Sequence, residues 1–144
     1  MDLETQIFLL ARLGLAALLC MIIGIDRERR DKSAGMRTHM LAGIGACLFT
    51  MAGAFVFEGG DPTRVASGVV SGIGFLGAGV IFRSENRVRG FTTAASIWAT
   101  AAIGVTVAVN AWLLAIGSTI MVWFILSLLQ TVEKRAIVPE NHKS

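Results

Sequence analysis

Five long apolar stretches, separated by short polar segments, are the feature that most constrains the fold of this 144-residue chain. They cover residues 7–25, 38–57, 65–82, 92–109 and 112–129. A helix needs roughly 20 apolar residues to cross the hydrocarbon core of a bilayer, and unpaired backbone groups are too costly there for an open structure. Only 16% of the residues are charged, against about 25% in a soluble domain. The sequence therefore predicts an all-α, polytopic membrane protein, a compact bundle of five transmembrane helices over residues 1–133 with a short tail over 134–144.

The distribution of lysine and arginine predicts the orientation of this bundle. Eleven of the 13 basic residues lie in the loop after the first stretch, the loop after the third, or the tail. The remaining connections and the N-terminus carry mainly acids: Asp2, Glu4, Glu58 and Asp61. Because basic loops stay in the cytoplasm, we expect an outside N-terminus, a cytoplasmic C-terminus and an odd number of crossings. The acidic start lacks the basic region of a signal peptide, so the first stretch is expected to remain in the mature protein.

Residues 69–82 form a glycine-rich, uncharged run that contains the dinucleotide-binding spacing G-x-G-x-x-G. That motif requires a preceding strand and an acidic residue about twenty positions later, and the sequence provides neither. We interpret the run as a helix whose missing side chains let neighbouring backbones approach. The predicted helix-packing glycines are Gly68, Gly72, Gly74, Gly77 and Gly79. A sharper alternative is a discontinuous helix that binds an ion through freed carbonyls.

Small residues at four-residue spacing predict where the other helices meet. These stripes are Ala16, Cys20 and Gly24 in the first helix, Thr38, Ala42, Ala46, Thr50 and Ala54 in the second, and Thr92, Ser96, Thr100, Gly104 and Ala108 in the fourth. The fifth stretch is bulkier and is expected to face lipid. Cys20 and Cys47 are interpreted as packing residues rather than a disulfide. The stripes predict a compact bundle that associates as a homodimer.

Arg12 lies inside the first stretch, where a guanidinium costs at least about 2.5 kcal/mol without a partner. Two interpretations are open. The side chain either reaches the outer headgroups and pairs with Glu58 or Asp61, or it joins an internal polar network.

Asp26 and Glu28 lie in a basic run at the end of the first stretch. Proteins usually hold Mg²⁺ through one or two carboxylates and several waters, so these two residues are the candidates for a metal site. Arg27 and the neighbouring arginines repel cations, which favours a salt-bridged network at the interface instead. Mg²⁺ is thus a possible ligand, and no cofactor is predicted.

His39 begins the second helix beside Arg37 and Thr38. Its side chain titrates near neutral pH, although a hydrogen-bonded packing role is the more common outcome. Thr92 or Thr93 is expected to cap the fourth helix. Together with Arg87 and Arg89, the exposed amides there would suit an anion such as the phosphate of a lipid headgroup.

The polar candidates for a functional site are therefore Arg12, Asp26, Arg27, Glu28, Arg37, Thr38, His39, Arg89, Thr92 and Thr93. The sequence has no Ser-His-Asp arrangement, no Cys/His metal spacing and no Walker motif. We predict neither an enzyme nor a nucleic-acid partner.

Four blocks of sequence resemble the MgtC/SapB family of bacterial inner-membrane proteins. They are residues 23–29 (IGIDRER), 34–40 (AGMRTHM), 72–81 (GIGFLGAGVI) and 88–98 (VRGFTTAASIW), the last followed by 101–104 (AAIG). Arg12 also lies where the family places an arginine in its first helix. The resemblance covers most of residues 7–133. Many members add a soluble C-terminal domain, so the chain is similar to a short form or a trimmed one.

The resemblance implies a five-helix domain in the bacterial inner membrane, a link to growth in low magnesium, and a role in virulence. One branch looks like a modulator of the membrane ATP synthase. With no catalytic constellation in view, we expect a regulatory or binding protein that acts through helix contacts. The alternative is a small dimeric transporter or channel for an ion or small solute.

Overall fold

The structure, a computed structural model, describes residues 1–56, 59, 61–84 and 87–129. Its five α-helices are α1 (Leu3–Arg29), α2 (Met36–Met51), α3 (Pro62–Gly79), α4 (Phe91–Ala108) and α5 (Trp112–Phe124). A π-helical turn continues α2 over Ala52–Val56, and another continues α5 over Ile125–Leu129. The all-helical class and a helix at each of the five apolar stretches are confirmed. The predicted tail lies outside the described residues.

Three segments are long and apolar enough to cross a membrane by length and composition. They are Leu3–Arg29, Met36–Phe55 and Phe91–Ala108, and a shorter apolar helix covers Trp112–Leu128. Large apolar side chains on their outer surfaces are exposed, including Leu10, Leu41 and Leu113. A chain with such a surface requires an apolar environment to cover it.

The core forms where α1, α2 and α4 cross, and glycines make this crossing close. A Cβ atom at Gly43 of α2 would lie 2.1 Å from Cys20 Sγ of α1, and one at Gly104 of α4 would lie 2.2 Å from the Gly43 carbonyl oxygen. The predicted stripes of α1 and most of that of α4 are buried in this crossing. Cys20 and Cys47 are buried free thiols, as predicted. Backbone approach at small residues therefore holds the bundle together.

Within the chain, one of the five predicted helix-packing glycines of α3 lies against another helix. Gly77 alone packs within the chain: a Cβ atom there would lie 3.6 Å from the Ala94 Cβ of α4. A Cβ atom would meet nothing within 4 Å at the other four, Gly68, Gly72, Gly74 and Gly79. The face of α3 that carries buried Ile73 and Gly77 packs inward, which leaves these four on the exposed side. The helix is also unbroken over Pro62–Gly79 and ends three residues before the predicted boundary.

A short β-hairpin replaces the expected end of that helix and its loop. Strand β1 (Phe82–Ser84) pairs antiparallel with β2 (Arg87–Arg89), with Phe82 opposite Arg89. Gly90 then turns the chain into α4 with φ +97°, and a Cβ atom there would lie 2.1 Å from the Val80 carbonyl oxygen. Only glycine fits this turn.

The connection between α4 and α5 is the tight hairpin that the sequence predicts. Asn110 has a left-handed backbone, with φ 63°, a conformation that asparagine tolerates better than most residues. The amide of Ala111 donates to the Thr106 carbonyl at 2.9 Å and closes the turn. Along α5 the buried residues are Ala115 and Thr119, so the bulky side chains of this helix are largely exposed, as expected.

Candidate functional site

Arg12 connects α1 to the C-terminal end of α4. Its Nη1 donates to the Ala108 carbonyl oxygen at 2.8 Å. The guanidinium carbon lies 4.9 Å from the Phe8 ring centroid and 5.5 Å from that of Phe55. A cation is favoured both at a helix C-terminus and over an aromatic face. The structure therefore gives Arg12 an internal role.

The structure does not show the other interpretation, in which the Arg12 side chain reaches the outer headgroups and pairs with Glu58 or Asp61. Asp61 instead caps α3, where its Oδ1 accepts from the Thr63 amide at 2.8 Å. Glu58, the other proposed partner, lies outside the described residues.

Asp26 belongs to a second contact, at the opposite end of α1. Its Oδ1 pairs with Arg30 Nε at 2.9 Å. Arg30 Nη2 also donates to Ser127 Oγ at 3.2 Å, at the end of the last described helix. The structure thus forms part of the expected salt-bridged network through one of the neighbouring arginines, Arg30, and sequence reasoning missed that Ser127 joins it.

Glu28 is bound elsewhere. Its Oε2 accepts from the Met36 amide at 2.7 Å, and it does so because Gly35, the residue before α2, has no side chain to cap the helix. No group of three or more His, Cys, Asp and Glu side chains within the described ranges could hold a metal ion. Arg30 pairs with Asp26 Oδ1 and the α2 amide binds Glu28 Oε2, while Asp26 Oδ2 is buried without a hydrogen-bond partner among the described residues. Because a guanidinium already neutralises Asp26 and a Mg²⁺ ion keeps several waters, this pair does not fit a resident Mg²⁺ site.

His39 joins α2 to α4 in the buried core. Its Nδ1 lies 2.8 Å from the Gly35 carbonyl oxygen, and its Nε2 lies 3.0 Å from Ser96 Oγ. The Ser96 hydroxyl is in turn 2.8 Å from the Thr93 carbonyl oxygen. This is the hydrogen-bonded packing role that the sequence favours. Its neighbours in sequence, Arg37 and Thr38, are exposed.

Arg27 occupies the most unusual position of the predicted site residues, because its side chain is fully buried (0% exposed). Neither Nε nor Nη1 has a hydrogen-bond partner among the described residues. Within the described residues, Arg27 therefore forms no salt bridge in the interfacial network that the sequence favours. A signal for its burial exists, since Cys20, Ile23 and Arg27 lie on one helical face, and the first two are core residues.

Neither Thr92 nor Thr93 caps α4. Gly90 occupies the cap position and provides no side-chain hydrogen bond, because the turn after the hairpin admits only glycine. Thr92 is exposed in the first turn, and Thr93 is buried. Arg89 is exposed at the end of β2.

These elements enclose a cavity of about 660 Å³ at the end of α1, which we call the Arg27 cavity. Its lining comprises Arg27, the loop 31–33, the hairpin residues Phe82, Val88 and Arg89, and residues 90–93 at the start of α4. The cavity thus combines four of the predicted site residues: Arg27, Arg89, Thr92 and Thr93. The Arg12 contact lies at the other end of α1.

The sequence of the chain is similar to those of several known proteins. The model of the MgtC family matches residues 13–135. YhiD of Escherichia coli K12, whose name proposes magnesium transport, is 39% identical over 139 residues, which are 91% of this chain and 65% of that protein. The MgtC protein of Brucella abortus strain 2308 is 49% identical over 90 residues, 62% of this chain and 38% of that protein.

A third relative, the MgtC protein of Salmonella typhimurium strain 14028s, is 42% identical over 107 residues, 74% of this chain and 46% of that protein. No solved structure matches the chain. The chain spans less than two thirds of the length of these relatives. The matched residues include α2 to α5 and most of α1. On this evidence the chain belongs to the MgtC family.

Proposed function

We propose that this chain is a multi-pass protein of the bacterial inner membrane, with all five helices crossing, the N-terminus outside and the C-terminus cytoplasmic. In this proposal it is a regulatory or binding protein of magnesium homeostasis or stress adaptation, without enzymatic activity. The support for magnesium is the name of YhiD, and that for the membrane is the apolar surface of the helices.

The regulatory interpretation depends on the close packing where α1, α2 and α4 cross. The polar groups there bond one another: His39 contacts Ser96, and Thr100 Oγ1 donates to the Ser96 carbonyl oxygen at 2.7 Å. Mg²⁺ needs oxygen ligands and keeps several waters. The crossing leaves no room for them, because a Cβ atom at Gly104 would already overlap α2. Buried Arg27 adds a positive charge at one end.

The test is a flux measurement on the purified full chain in proteoliposomes. We expect Mg²⁺ entry equal to that of empty liposomes, with an added ionophore as the positive control for the trapped dye. Saturable Mg²⁺ flux that depends on the protein would overturn the regulatory interpretation.

The partners in this proposal are membrane lipids, a second copy of the chain and a larger membrane complex, with the ATP synthase suggested by family resemblance. A pull-down from native membranes at low and high magnesium tests this part. Recovery of synthase subunits at a level that changes with magnesium supports it. Recovery of the chain alone in both conditions contradicts it.

The exposed face of α3 supports a homodimer. It borders an apolar groove of about 520 Å³ between α2 and α3, whose floor includes Ala42, Gly45, Gly68 and Gly72. In a membrane, such small residues let a second helix approach closely. We therefore place the dimer contact on this groove.

A small dimeric transporter is the second candidate, because the same face carries polar groups. Ser67 and Ser71 are exposed beside Gly68 and Gly72, so a pathway would lie between two copies rather than within one. Gly72→Leu would then abolish solute flux while membrane insertion stays normal. Flux that is unchanged in this variant would exclude a pathway at this face.

A further inference from the structure

The Arg27 cavity contains a buried guanidinium whose Nε and Nη1 lack hydrogen-bond acceptors in the described part of the chain. The Arg27 side chain is 0% exposed. A buried guanidinium without hydrogen bonds is strongly unfavourable. Two carboxylates adjoin Arg27 in sequence, and neither forms a salt bridge with it within the described residues: Asp26 Oδ1 pairs with Arg30, and Glu28 Oε2 accepts from the Met36 amide. An acceptor from outside the chain would complete the site.

The start of α4 supplies further donors at the same cavity. The first amides of a helix have no intrahelical acceptor, and the Gly90 cap offers them no side chain. The first turn of α4 also lacks an acidic residue. In an 18-residue helix the aligned peptide dipoles place about half a positive charge at this end. Free amides and a positive end together form a site for an anion.

Positive charges outnumber negative ones among the described residues around the opening. Lys32 and Arg89 line the cavity and are exposed, and among its described lining residues Asp31 is the one carboxylate. The exposed apolar side chains of Phe82, Val88 and Phe91 lie beside them. The lining thus suits an anion with several oxygens, either free in water or joined to an apolar chain.

We propose that the Arg27 cavity binds a phosphate group, held by the Arg27 guanidinium and by the free amides at the start of α4. Guanidinium and helix-terminal amides match the several acceptor oxygens of a phosphate. A lipid headgroup and free inorganic phosphate offer the same chemistry. The apolar residues at the opening would lie against the acyl chains in the first case.

The first experiment compares Arg27→Gln with Arg29→Gln. Both remove one positive charge from the last turn of α1, but Arg29 is exposed and does not line the cavity. Binding of inorganic phosphate to the delipidated full chain is measured by calorimetry, and binding of phosphatidylglycerol by native mass spectrometry. For Arg27→Gln we expect a loss of about tenfold or more in affinity, typical of losing a hydrogen bond to a charged group. Arg29→Gln is expected to change it less than about threefold.

A second experiment does not depend on how well Arg27→Gln folds. Thr92 is exposed and lines the cavity, so Thr92→Cys places a thiol there, while native Cys20 and Cys47 are buried. We expect inorganic phosphate or phosphatidylglycerol to slow maleimide labelling of this thiol, but not that of Thr38→Cys, an exposed position outside the cavity.

The pattern of protection identifies the source of the phosphate group. Protection by inorganic phosphate identifies a site open to water, and protection by phosphatidylglycerol alone identifies a lipid headgroup site. No protection by either, or equal affinities of the two glutamine variants, would overturn the proposal.

Discussion

His39 Nε2 and Ser96 Oγ lie 3.0 Å apart and form a buried hydrogen bond between α2 and α4. Ser96→Ala leaves the ring nitrogen without this partner, which is expected to cost ~1–3 kcal/mol in the free energy of unfolding. The measurement is reversible unfolding in mixed detergent micelles. Thr106→Ala is the control, because the Thr106 hydroxyl bonds only within its own helix, to Ile103. Equal losses in both variants would show that the interhelical bond contributes nothing.

The close contact between Gly43 and Cys20 predicts that a smaller residue at position 20 reduces the stability loss caused by Gly43→Ala. Gly43→Ala brings a methyl group against the Cys20 sulfur, and such overpacking is expected to cost ~1–3 kcal/mol of unfolding free energy. In a Cys20→Ala background the same substitution should cost less, because the sulfur is gone. Gly45→Ala, in the same helix with nothing within 4 Å of the new atom, should change stability by less than ~0.5 kcal/mol. A loss that is the same in both backgrounds would contradict the contact.

Arg12 is expected to tolerate lysine poorly. The guanidinium both donates to Ala108 and lies over the Phe8 and Phe55 rings, a combination that an ammonium group does not reproduce. We expect Arg12→Lys to lower the unfolding free energy by ~1–2 kcal/mol. Arg64→Lys, at an exposed position, provides the matched control and should be neutral. If Arg12→Lys is as stable as the parent protein, the planar guanidinium group is not needed at this position.

If the dimer forms on the α3 face, a large side chain should disrupt the dimer at that face and not elsewhere. Gly72→Leu fills the groove between α2 and α3 and should reduce cross-linked dimer in native membranes by about tenfold, since close approach at a small residue is lost. Gly14→Leu adds the same side chain at an exposed position of α1, where a Cβ atom would meet nothing within 4 Å. This control variant should leave the dimer intact. Dimer lost in neither variant, or in both, would place the contact elsewhere.

Asp61 predicts a pH dependence at the start of α3. Hydrogen bonds from the Thr63 hydroxyl and amide lower the pKa of Asp61 below its ordinary value of 3.8. A lowered pKa in the folded state means that the stabilisation is present above pH 3.8 and is lost as the pH falls through the folded value. Hydrogen exchange of the first turn should therefore speed up several-fold in strong acid. Asp61→Asn keeps an acceptor and should remove this pH dependence without speeding exchange at neutral pH.

The helices could be predicted from the sequence because a long apolar run in this composition has one stable backbone form. The sequence determines the ends of these helices less closely than their presence. The fourth helix begins at Phe91, one residue from the expected position, whereas the third ends at Gly79 rather than at residue 82. The hairpin that causes this difference has strands of three residues each, too short for any alternation of apolar and polar residues to be recognised.

The candidate site was harder to predict, because burial depends on which helices meet. Gly72 and Gly43 are both glycines in apolar helices, yet only Gly43 lies at a crossing. Likewise Arg27 and Arg29 are two positions apart, and only the first faces the core. Helical position relative to Cys20 distinguishes the two arginines, but the cavity next to Arg27 depends on a turn at Gly90 that lies far along the sequence.

The order in which the chain is synthesised has a consequence for its biogenesis. The acceptor for Arg12 and the hydroxyl that meets His39 both belong to α4, which leaves the ribosome after α1, α2 and α3. Until then a nascent chain inserted in the bilayer carries two polar side chains that have not met their final neighbours. An insertase that holds α1, α2 and α3 until α4 has been synthesised would protect the nascent chain from degradation. Depletion of such an insertase should therefore shorten the lifetime of the newly made protein.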